Sequence, residues 1–226
     1  MKPNDGDRQL LLQLVEAISP GAFLEVSSGQ AAIDADDALI QQLTDNPSSS
    51  RKLRIWENQN CLVTTKRIAR HERFVAAAEH SAKKGWPVYV RSTGGSTVVH
   101  RPGILNVSLA KVLPKTKVRP DDTYKELLEM LVEALKKLGV SAKTGFVENS
   151  YCDGRYNICV GDKKIAGTAS RIVRRKGLAI YLCHASITVY GSVFHDVELV
   201  REFGSSFITD CEINPVQHVS LRNLRK

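Results

Sequence analysis

The stretch VRSTGGSTVVHRPG, residues 90–103, lies between two runs with the composition of β-strands, PVYVR (87–91) and GILNVSLA (103–110). Adjacent glycines let backbone N–H groups approach an anion closely, and flanking serine and threonine hydroxyls add donors. The spacing matches neither the dinucleotide-binding fingerprint nor the P-loop. The segment therefore predicts either an anion-binding loop or a glycine-rich hairpin without a ligand. His100, just beyond it, is either a site residue or a hydrogen-bonded structural histidine.

The composition is that of a globular protein with a net positive charge. The chain has 226 residues, of which 42% are hydrophobic and 25% charged, and these values predict a single domain. Its net charge of +8 is compatible with nucleic acid, an acidic protein or an anionic ligand as partner, and equally with basic faces that are only solvated. No zinc-finger, RNP or heptad pattern accompanies that charge, so we expect no nucleic-acid partner. No apolar run approaches the roughly 20 residues that span a bilayer, and no secretory signal is visible at the N-terminus, so we expect a cytoplasmic protein without membrane contact.

Helical patterns alternate with short strands in the first half of the chain. Apolar periodicity predicts helices over residues 8–17, 31–43, 71–84, 123–138 and 196–203. Thr123 and Glu126 have the spacing of a capping box, and Gly139 is a helix stop. The runs KLRIWE (52–57) and CLVTT (61–65) are separated by only three residues, which predicts a hairpin.

The second half is rich in strands. YNICV (156–160), KKIAGTASRIV (163–173) and LAIYLCHASITV (178–189) are separated by tight turns and predict antiparallel neighbours. Together with the helices they indicate an α+β fold built on a mainly antiparallel sheet with flanking helices. Along a strand Lys163 and Lys164 should face opposite sides, so Lys164 can face a site and bind an anion, or it can be an ordinary solvated lysine.

Three ordered segments carry a family resemblance. RSTGGSTVVHRPGILNVSL (91–109), DGRYNICVGDKKIAGTAS (153–170) and LCHASITV (182–189) resemble, in order and spacing, the motifs of the lipoate-protein ligase family within the biotin/lipoate ligase superfamily. AAIDADDALI (31–40) is similar to that family's first helix. The resemblance implies its catalytic-domain fold over residues 25–226, a helical extension over residues 1–24, and no C-terminal accessory domain.

The resemblance also implies a reaction and a site. The chain would activate lipoate with ATP to lipoyl-AMP and transfer the lipoyl group to a lysine of an acceptor domain. Lys164 would be the catalytic residue, binding first the lipoate carboxylate and then the α-phosphate of the adenylate. Asn157 would lie near Mg²⁺, at the position of an acid in the family. The residues implied to bind substrate and nucleotide are Arg91, Thr93, Gly94, Gly95, Ser96, Thr97, His100, Asn157, Gly167, Ala169 and His184.

Partners and alternatives follow from the same resemblance. The acceptors would be acidic lipoyl domains of 2-oxoacid dehydrogenases or the glycine cleavage H-protein, steered by the basic hairpin RIVRRKG (171–177), and a separate accessory-domain protein could take part. One alternative is an octanoyltransferase or lipoyl amidotransferase with Cys152 as acyl nucleophile. Another is a non-catalytic module that binds nucleotide or a lipoyl domain. The remaining cysteines, without CxxC or metal-ligand spacing, are expected to be reduced and buried.

Overall fold

Long antiparallel strands form the centre of the larger of two sheets. The computed structural model describes residues 4–113, 121–151, 154–175, 177–207 and 212–225. Within them the larger sheet has seven strands in the order β1-β2-β6-β10-β9-β8-β7, and a smaller sheet has three in the order β4-β3-β5. Apart from the parallel pair β1–β2, every pairing in the larger sheet is antiparallel, as the sequence predicts.

The bounds of the elements follow the sequence patterns closely. The strands are β1 Glu25–Ser27, β2 Arg51–Asn58, β3 Cys61–Thr65, β4 Val88–Arg91, β5 Val98–His100, β6 Ile104–Leu113, β7 Lys143–Gly145, β8 Asn157–Val160, β9 Lys163–Arg175 and β10 Leu178–Thr188. The helices are α1 Asp5–Ile18, α2 Gly29–Asp45, α3 Lys66–Ala69, α4 Phe74–Lys83, α5 Asp122–Lys137, α6 Val193–Gly204 and α7 Leu221–Leu224, with short 3₁₀ turns at Pro47–Ser49 and Pro215–Gln217. No helix among these combines the length and apolar character needed to cross a bilayer.

Helices cover both faces of the larger sheet. The leucine stripe of α5 packs with α1 against one face, where Leu127, Leu131 and Leu135 are completely buried. On the other face, α2 packs Leu39, Ile40 and Leu43 against the inner strands. Because side chains alternate along a strand, β10 contributes to both layers at once. On the face of β10 that α2 covers, Leu182 is apolar and packs under the helix. The next residues along the same face are polar: His184, Ser186 and Thr188.

The expected hairpin of β2 and β3 is wrong, although both strands exist. β2 pairs with β1 and β6 in the larger sheet, whereas β3 pairs in parallel with β4 and antiparallel with β5 in the smaller one. The chain therefore crosses from one sheet to the other between residues 58 and 61. α4 and α6 cover the smaller sheet through a separate apolar cluster that includes Leu62, Trp86 and Phe203.

The expected capping box of α5 is also wrong. The helix begins at Asp122 after the N-cap residue Asp121, without a side-chain cap hydrogen bond. Thr123 lies inside the first turn, where its hydroxyl is 2.8 Å from that of Ser170 on β9. Glu126 accepts a hydrogen bond from Lys111 at 2.6 Å. Tertiary contacts with the neighbouring strands have replaced the local cap, while Gly139 ends the helix with a φ of +79°, as expected.

Candidate active site

Lys164 lies in the protein interior on β9, opposite Cys159 of β8. Its side chain is 3% exposed whereas the neighbouring Lys163 is exposed, so the predicted separation of the two lysines is confirmed. The Lys164 Nζ donates a hydrogen bond to the carbonyl oxygen of Tyr151 and lies 4.9 Å from the centre of that tyrosine ring. A Cβ added at Gly167 would be 3.2 Å from the Lys164 Cε and Nζ atoms. Because Gly167 has no Cβ, the end of the Lys164 side chain fits beside it without a close contact.

The glycine-rich loop is fixed from behind by Arg91. Its guanidinium group donates hydrogen bonds to the carbonyl oxygens of Val63, Gly94 and Ser96 at 2.9, 2.8 and 2.6 Å. Gly95 has a φ of +97°, a conformation that side chains disfavour. The Arg91 side chain thus has a structural role, because it links two carbonyl groups of the loop to the middle of β3. The hydroxyl of Thr97, 2.9 Å from that of Thr64, attaches the far end of the loop to the same strand.

His184 connects the loop to a buried carboxylate. Its Nε2 is 2.9 Å from the Thr93 hydroxyl, and its Nδ1 is 3.4 Å from Asp36 Oδ2. Asp36 also accepts hydrogen bonds from Arg54 at 2.9 Å and from Ser108 at 2.8 Å. Because a carboxylate only accepts, this arrangement places the proton of the neutral imidazole on Nδ1 and leaves Nε2 to accept from the threonine. The chain Asp36–His184–Thr93 therefore fixes the start of the loop.

His100 is a buried neutral imidazole at the end of β5. Its ring meets Trp56 edge-on at 5.4 Å, and its Nε2 is 3.5 Å from the Ser186 hydroxyl. Burial, together with electrostatic interaction with the neighbouring His184 and Arg91, lowers the pKa of His100 to about 3. The residue is uncharged at neutral pH, so it can contribute hydrogen bonding and shape to the site but no positive charge.

These residues surround two adjoining spaces. The first, which we name the inner cavity, has walls that include Arg91, Val98, Val99, His100, Tyr151 and His184. The second, the outer cleft, is bounded by Arg67, Gly94, Gly95, Ser96 and Tyr156. Thr168 and Ala169 of β9 line both spaces, and Gly167 lines the inner cavity while packing against Lys164. Of the predicted site residues, those that line one or other space are Arg91, Gly94, Gly95, Ser96, His100, Gly167, Ala169 and His184, whereas Thr93, Thr97, Asn157 and Lys164 line neither. Lys164 lies behind the wall of the inner cavity, in contact with Gly167 and Tyr151.

The cysteines differ in their access to this region. Cys61, Cys159 and Cys183 are free and buried, in agreement with the packing role expected from the sequence. Burial raises the pKa of the Cys61 thiol to about 12 and raises that of Cys183 still further, so neither is a thiolate at neutral pH. Cys152, the candidate nucleophile, lies outside the described residues but directly follows Tyr151, which lines the inner cavity.

The surroundings of Asn157 do not suit Mg²⁺. The position that a Cβ would take at Gly167 is 3.9 Å from the Asn157 Oδ1 and 3.2 Å from the Lys164 Nζ, so the amide and the ammonium group flank the same glycine. Mg²⁺ prefers charged carboxylate oxygens. Asn157 has only a neutral amide, and the positive charge of the buried lysine beside it would repel the metal ion. Within the ranges that the structure describes, no group of three or more His, Cys, Asp or Glu side chains could hold a metal ion.

Sequence reasoning missed three residues of the site. Asp36 gives a signal in hindsight, since an acidic residue occupies the buried stripe of α2 between Ile33 and Leu39. Tyr151 and His218 give none, because their roles depend on contacts between segments far apart in the chain. His218 stacks on Tyr151 with ring centres 4.4 Å apart and planes inclined by 15°.

Comparison with curated proteins finds relatives that act on octanoyl groups. The chain is 37% identical over 158 residues to an uncharacterized protein of Cupriavidus necator, an alignment that covers 66% of this chain and 62% of that protein. It is 33% identical over 172 residues to the octanoyl-GcvH:protein N-octanoyltransferase of Geobacillus kaustophilus, covering 74% of this chain and 58% of that enzyme. The chain thus spans about six tenths of the length of these relatives.

Solved structures share the fold. A lipoate-protein ligase A bound with ATP superimposes with a TM-score of 0.69 at 19% identity, over 88% of this chain and 76% of that one. A chain from the bi-partite lipoate protein ligase system of Thermoplasma acidophilum gives 0.52 at 21% identity, over 76% and 63%. A model of the lipoyl protein ligase A/B catalytic domain matches residues 28–207. Because this match covers most of the chain, the chain belongs to the lipoyl protein ligase A/B catalytic-domain family.

Proposed function

We propose that this chain is an ATP-independent acyltransferase that moves an octanoyl or lipoyl group between lysine side chains of carrier proteins through a thioester on Cys152. The observation that carries the proposal is the hydrogen bond from the Lys164 ammonium group to the carbonyl of Tyr151, the residue directly before Cys152. The names of several curated relatives, which are octanoyltransferases, support the same chemistry. The apolar part of the inner cavity wall, Val98, Val99 and Ile104, suits an aliphatic acyl chain.

The reaction balances without a nucleotide. The thiolate of Cys152 attacks the carbonyl carbon of the acyl-lysine donor, the C–N bond breaks, and the donor amine leaves with one added proton. The neutral amine of the acceptor lysine then attacks the thioester, the C–S bond breaks, and the sulfur departs as a thiolate while the new amide nitrogen loses a proton. One amide replaces another, so the overall free-energy change is small and no ATP is consumed.

Residues of β8, β9 and the glycine-rich loop would stabilise both steps. A nearby ammonium group favours the thiolate form of a cysteine and the oxyanion that forms on the attacked carbonyl, and Lys164 supplies such a charge. The Asn157 Nδ2 and the Ser96 Oγ are buried and have no hydrogen-bond partner among the described residues. Buried donors in proteins normally have a hydrogen-bond partner, so a substrate oxygen is the partner that we propose for these two donors. Asn157 suits this role better than the role of a metal ligand.

Charge favours carrier proteins as substrates. The net charge of +8 and the exposed Arg174 and Arg175 at the β9–β10 turn favour docking of acidic lipoyl domains or of the glycine cleavage H-protein. Arg171, nearer the sheet, is instead paired with Asp37 at 2.7 Å.

An ATP-dependent lipoate-protein ligase is the second candidate. The outer cleft favours it, because the backbone of Gly94 and Gly95, together with the cationic Arg67, forms a place where a phosphate group could bind. In that reaction ATP and Mg²⁺ would supply the activation of the lipoate carboxylate, and Lys164 would bind the carboxylate and phosphate oxygens. A separate accessory chain could complete such an enzyme.

A two-arm assay separates the candidates. The first arm contains an octanoylated H-protein and an apo lipoyl domain without ATP, and the second contains lipoate, ATP, Mg²⁺ and the apo domain; the readout is the mass of the acceptor. We expect acceptor modification in the first arm, its loss in Cys152→Ser and Lys164→Ala, and its retention in the matched control Cys211→Ser.

Each other outcome has a stated consequence. Undiminished transfer by Cys152→Ser would refute the thioester mechanism, and undiminished transfer by Lys164→Ala would remove the role of the lysine. Modification in the second arm alone would select the ligase, and modification in neither arm would favour a binding module.

A further inference from the structure

The C-terminal segment joins the two sides of the proposed active site. The Asn214 N–H donates to the carbonyl of Asn149 at 2.7 Å, and the Val219 N–H donates to the carbonyl of Lys164 at 2.9 Å. Between these two bonds, His218 forms an isolated parallel bridge with Lys164. The segment therefore attaches the strand that carries the lysine to the loop that leads into Cys152.

Tyr151 is held on several sides by this arrangement. Its N–H donates to the Nε2 of His218 at 3.4 Å, and its ring stacks on the imidazole with centres 4.4 Å apart. Its carbonyl oxygen accepts the hydrogen bond from Lys164. His218 thus binds the backbone N–H of Tyr151, and Lys164 binds its backbone carbonyl.

The imidazole is suited to accept rather than to donate at Nε2. His218 is 7% exposed, and burial together with the charge of Lys164 lowers its pKa to about 3. A neutral ring at working pH keeps a lone pair on Nε2 for the Tyr151 N–H. The same neutrality avoids a second positive charge beside the lysine.

We propose that His218 is a positioning residue for acyl transfer. By fixing Tyr151 it holds the carbonyl oxygen that accepts from Lys164, and it thereby orients the Lys164 ammonium group. This inference rests on the proposed function, because it presumes that Cys152 is the nucleophile. His218 itself touches neither the acyl group nor the sulfur in this role.

Two substitutions separate the ring from the acceptor. His218→Phe keeps a stacking ring and removes the acceptor, whereas His218→Gln places an amide oxygen near the position of Nε2 and removes the ring. His195→Phe is the matched control, since His195 is an exposed histidine that also contacts an aromatic ring, that of Trp86 at 5.7 Å. The readouts are the single-turnover rate of thioester formation on Cys152 with octanoylated H-protein, the donor KM, the thermal midpoint and the rate of iodoacetamide labelling of the Cys152 peptide at neutral pH.

We expect His218→Phe to slow thioester formation by about 10- to 100-fold, because a displacement of about 1 Å costs roughly that factor. The donor KM should stay within about threefold of the wild-type value, and labelling of Cys152 should be at least about threefold slower. His218→Gln should recover most of the thioester rate, and it keeps the test informative if His218→Phe does not fold. His195→Phe should match the wild type.

Rates of thioester formation and of labelling within about twofold of wild type in His218→Phe would overturn the inference. Equal losses of the thioester rate in His218→Phe and His218→Gln, in proportion to their lowered thermal midpoints, would also overturn it. Failure of the proposed function looks different: the wild-type protein would then form no thioester, or Cys152→Ser would transfer normally. Labelling of Cys152 does not depend on acyl transfer, so unchanged labelling counts against His218 in either case.

Discussion

Replacing Gly167 with alanine should displace the buried amine without unfolding the protein. The added Cβ would lie 3.2 Å from both the Cε and the Nζ of Lys164. Nonbonded heavy atoms pack optimally at about 3.5–4.0 Å, so the end of the lysine must retreat by roughly 0.3–0.8 Å. Since a flexible side chain can yield, the strain on the fold is small. The hydrogen bond to the Tyr151 carbonyl is the contact that must lengthen.

The expected effect falls on the rate. A misplacement of about 1 Å near reacting atoms costs about 100-fold, so a shift of about half that size should lower the single-turnover rate of acyl transfer by about tenfold. Replacing a glycine also reduces the entropy of the unfolded chain, which contributes about 0.4–1 kcal/mol of stability and offsets part of the strain. The free energy of unfolding should therefore stay within about 1 kcal/mol of the wild-type value, measured by urea denaturation.

Gly145→Ala is the matched control for this change. Gly145 is also a strand glycine of the larger sheet, but a Cβ there would meet only the Cys159 Sγ, at an ordinary 3.7 Å. We expect this variant to transfer acyl groups at the wild-type rate. A wild-type rate in Gly167→Ala, or equal losses in both variants, would refute the reasoning that the position of the Lys164 amine controls the reaction.

Three further predictions concern charge. The pKa values of His100 and His218 are about 3 in the folded protein and 6.5 in the unfolded chain. The unfolded chain therefore binds more protons, so acid should lower the free energy of unfolding below pH 6.5, by about 2 kcal/mol per histidine between pH 7.5 and pH 5. A free energy of unfolding that does not change with pH in urea denaturation would contradict this. Asp36→Asn should lower the free energy of unfolding by about 3 kcal/mol in urea denaturation, because it removes a carboxylate from a buried ion pair, and a loss near zero would show that the pair is dispensable. Arg174→Glu combined with Arg175→Glu should raise the KM for carrier proteins about tenfold at low ionic strength and less in added salt, and an unchanged KM would remove this turn from the docking surface.

The position of Lys164 illustrates what the sequence could predict. The period of two along a strand requires Lys163 and Lys164 to face opposite sides, and the position of KKIAGTASRIV between two tight turns predicted the strand. The same local rules anticipated the leucine stripe of α5 and the tight turns on both sides of β9. These features depend on neighbours within a few residues, which the sequence shows directly.

The pairing of β2 and β3 illustrates what it could not. Three intervening residues suit a hairpin, yet β3 finds its parallel partner in β4, more than twenty residues further along, and nothing local encodes which sheet a strand joins. The hydroxyl of Thr123 likewise meets Ser170 of β9 rather than capping its own helix. Asp36 and His218 act through contacts of the same long range, with His184 and with Tyr151.

The most direct test is the mass of Cys152 after incubation of the protein with octanoylated H-protein, in the absence of ATP and of any acceptor. We expect an octanoyl adduct on the peptide containing Cys152, labile to hydroxylamine as a thioester must be, and cleared on addition of an apo lipoyl domain. An unmodified Cys152 in a preparation that still octanoylates the acceptor would contradict the mechanism.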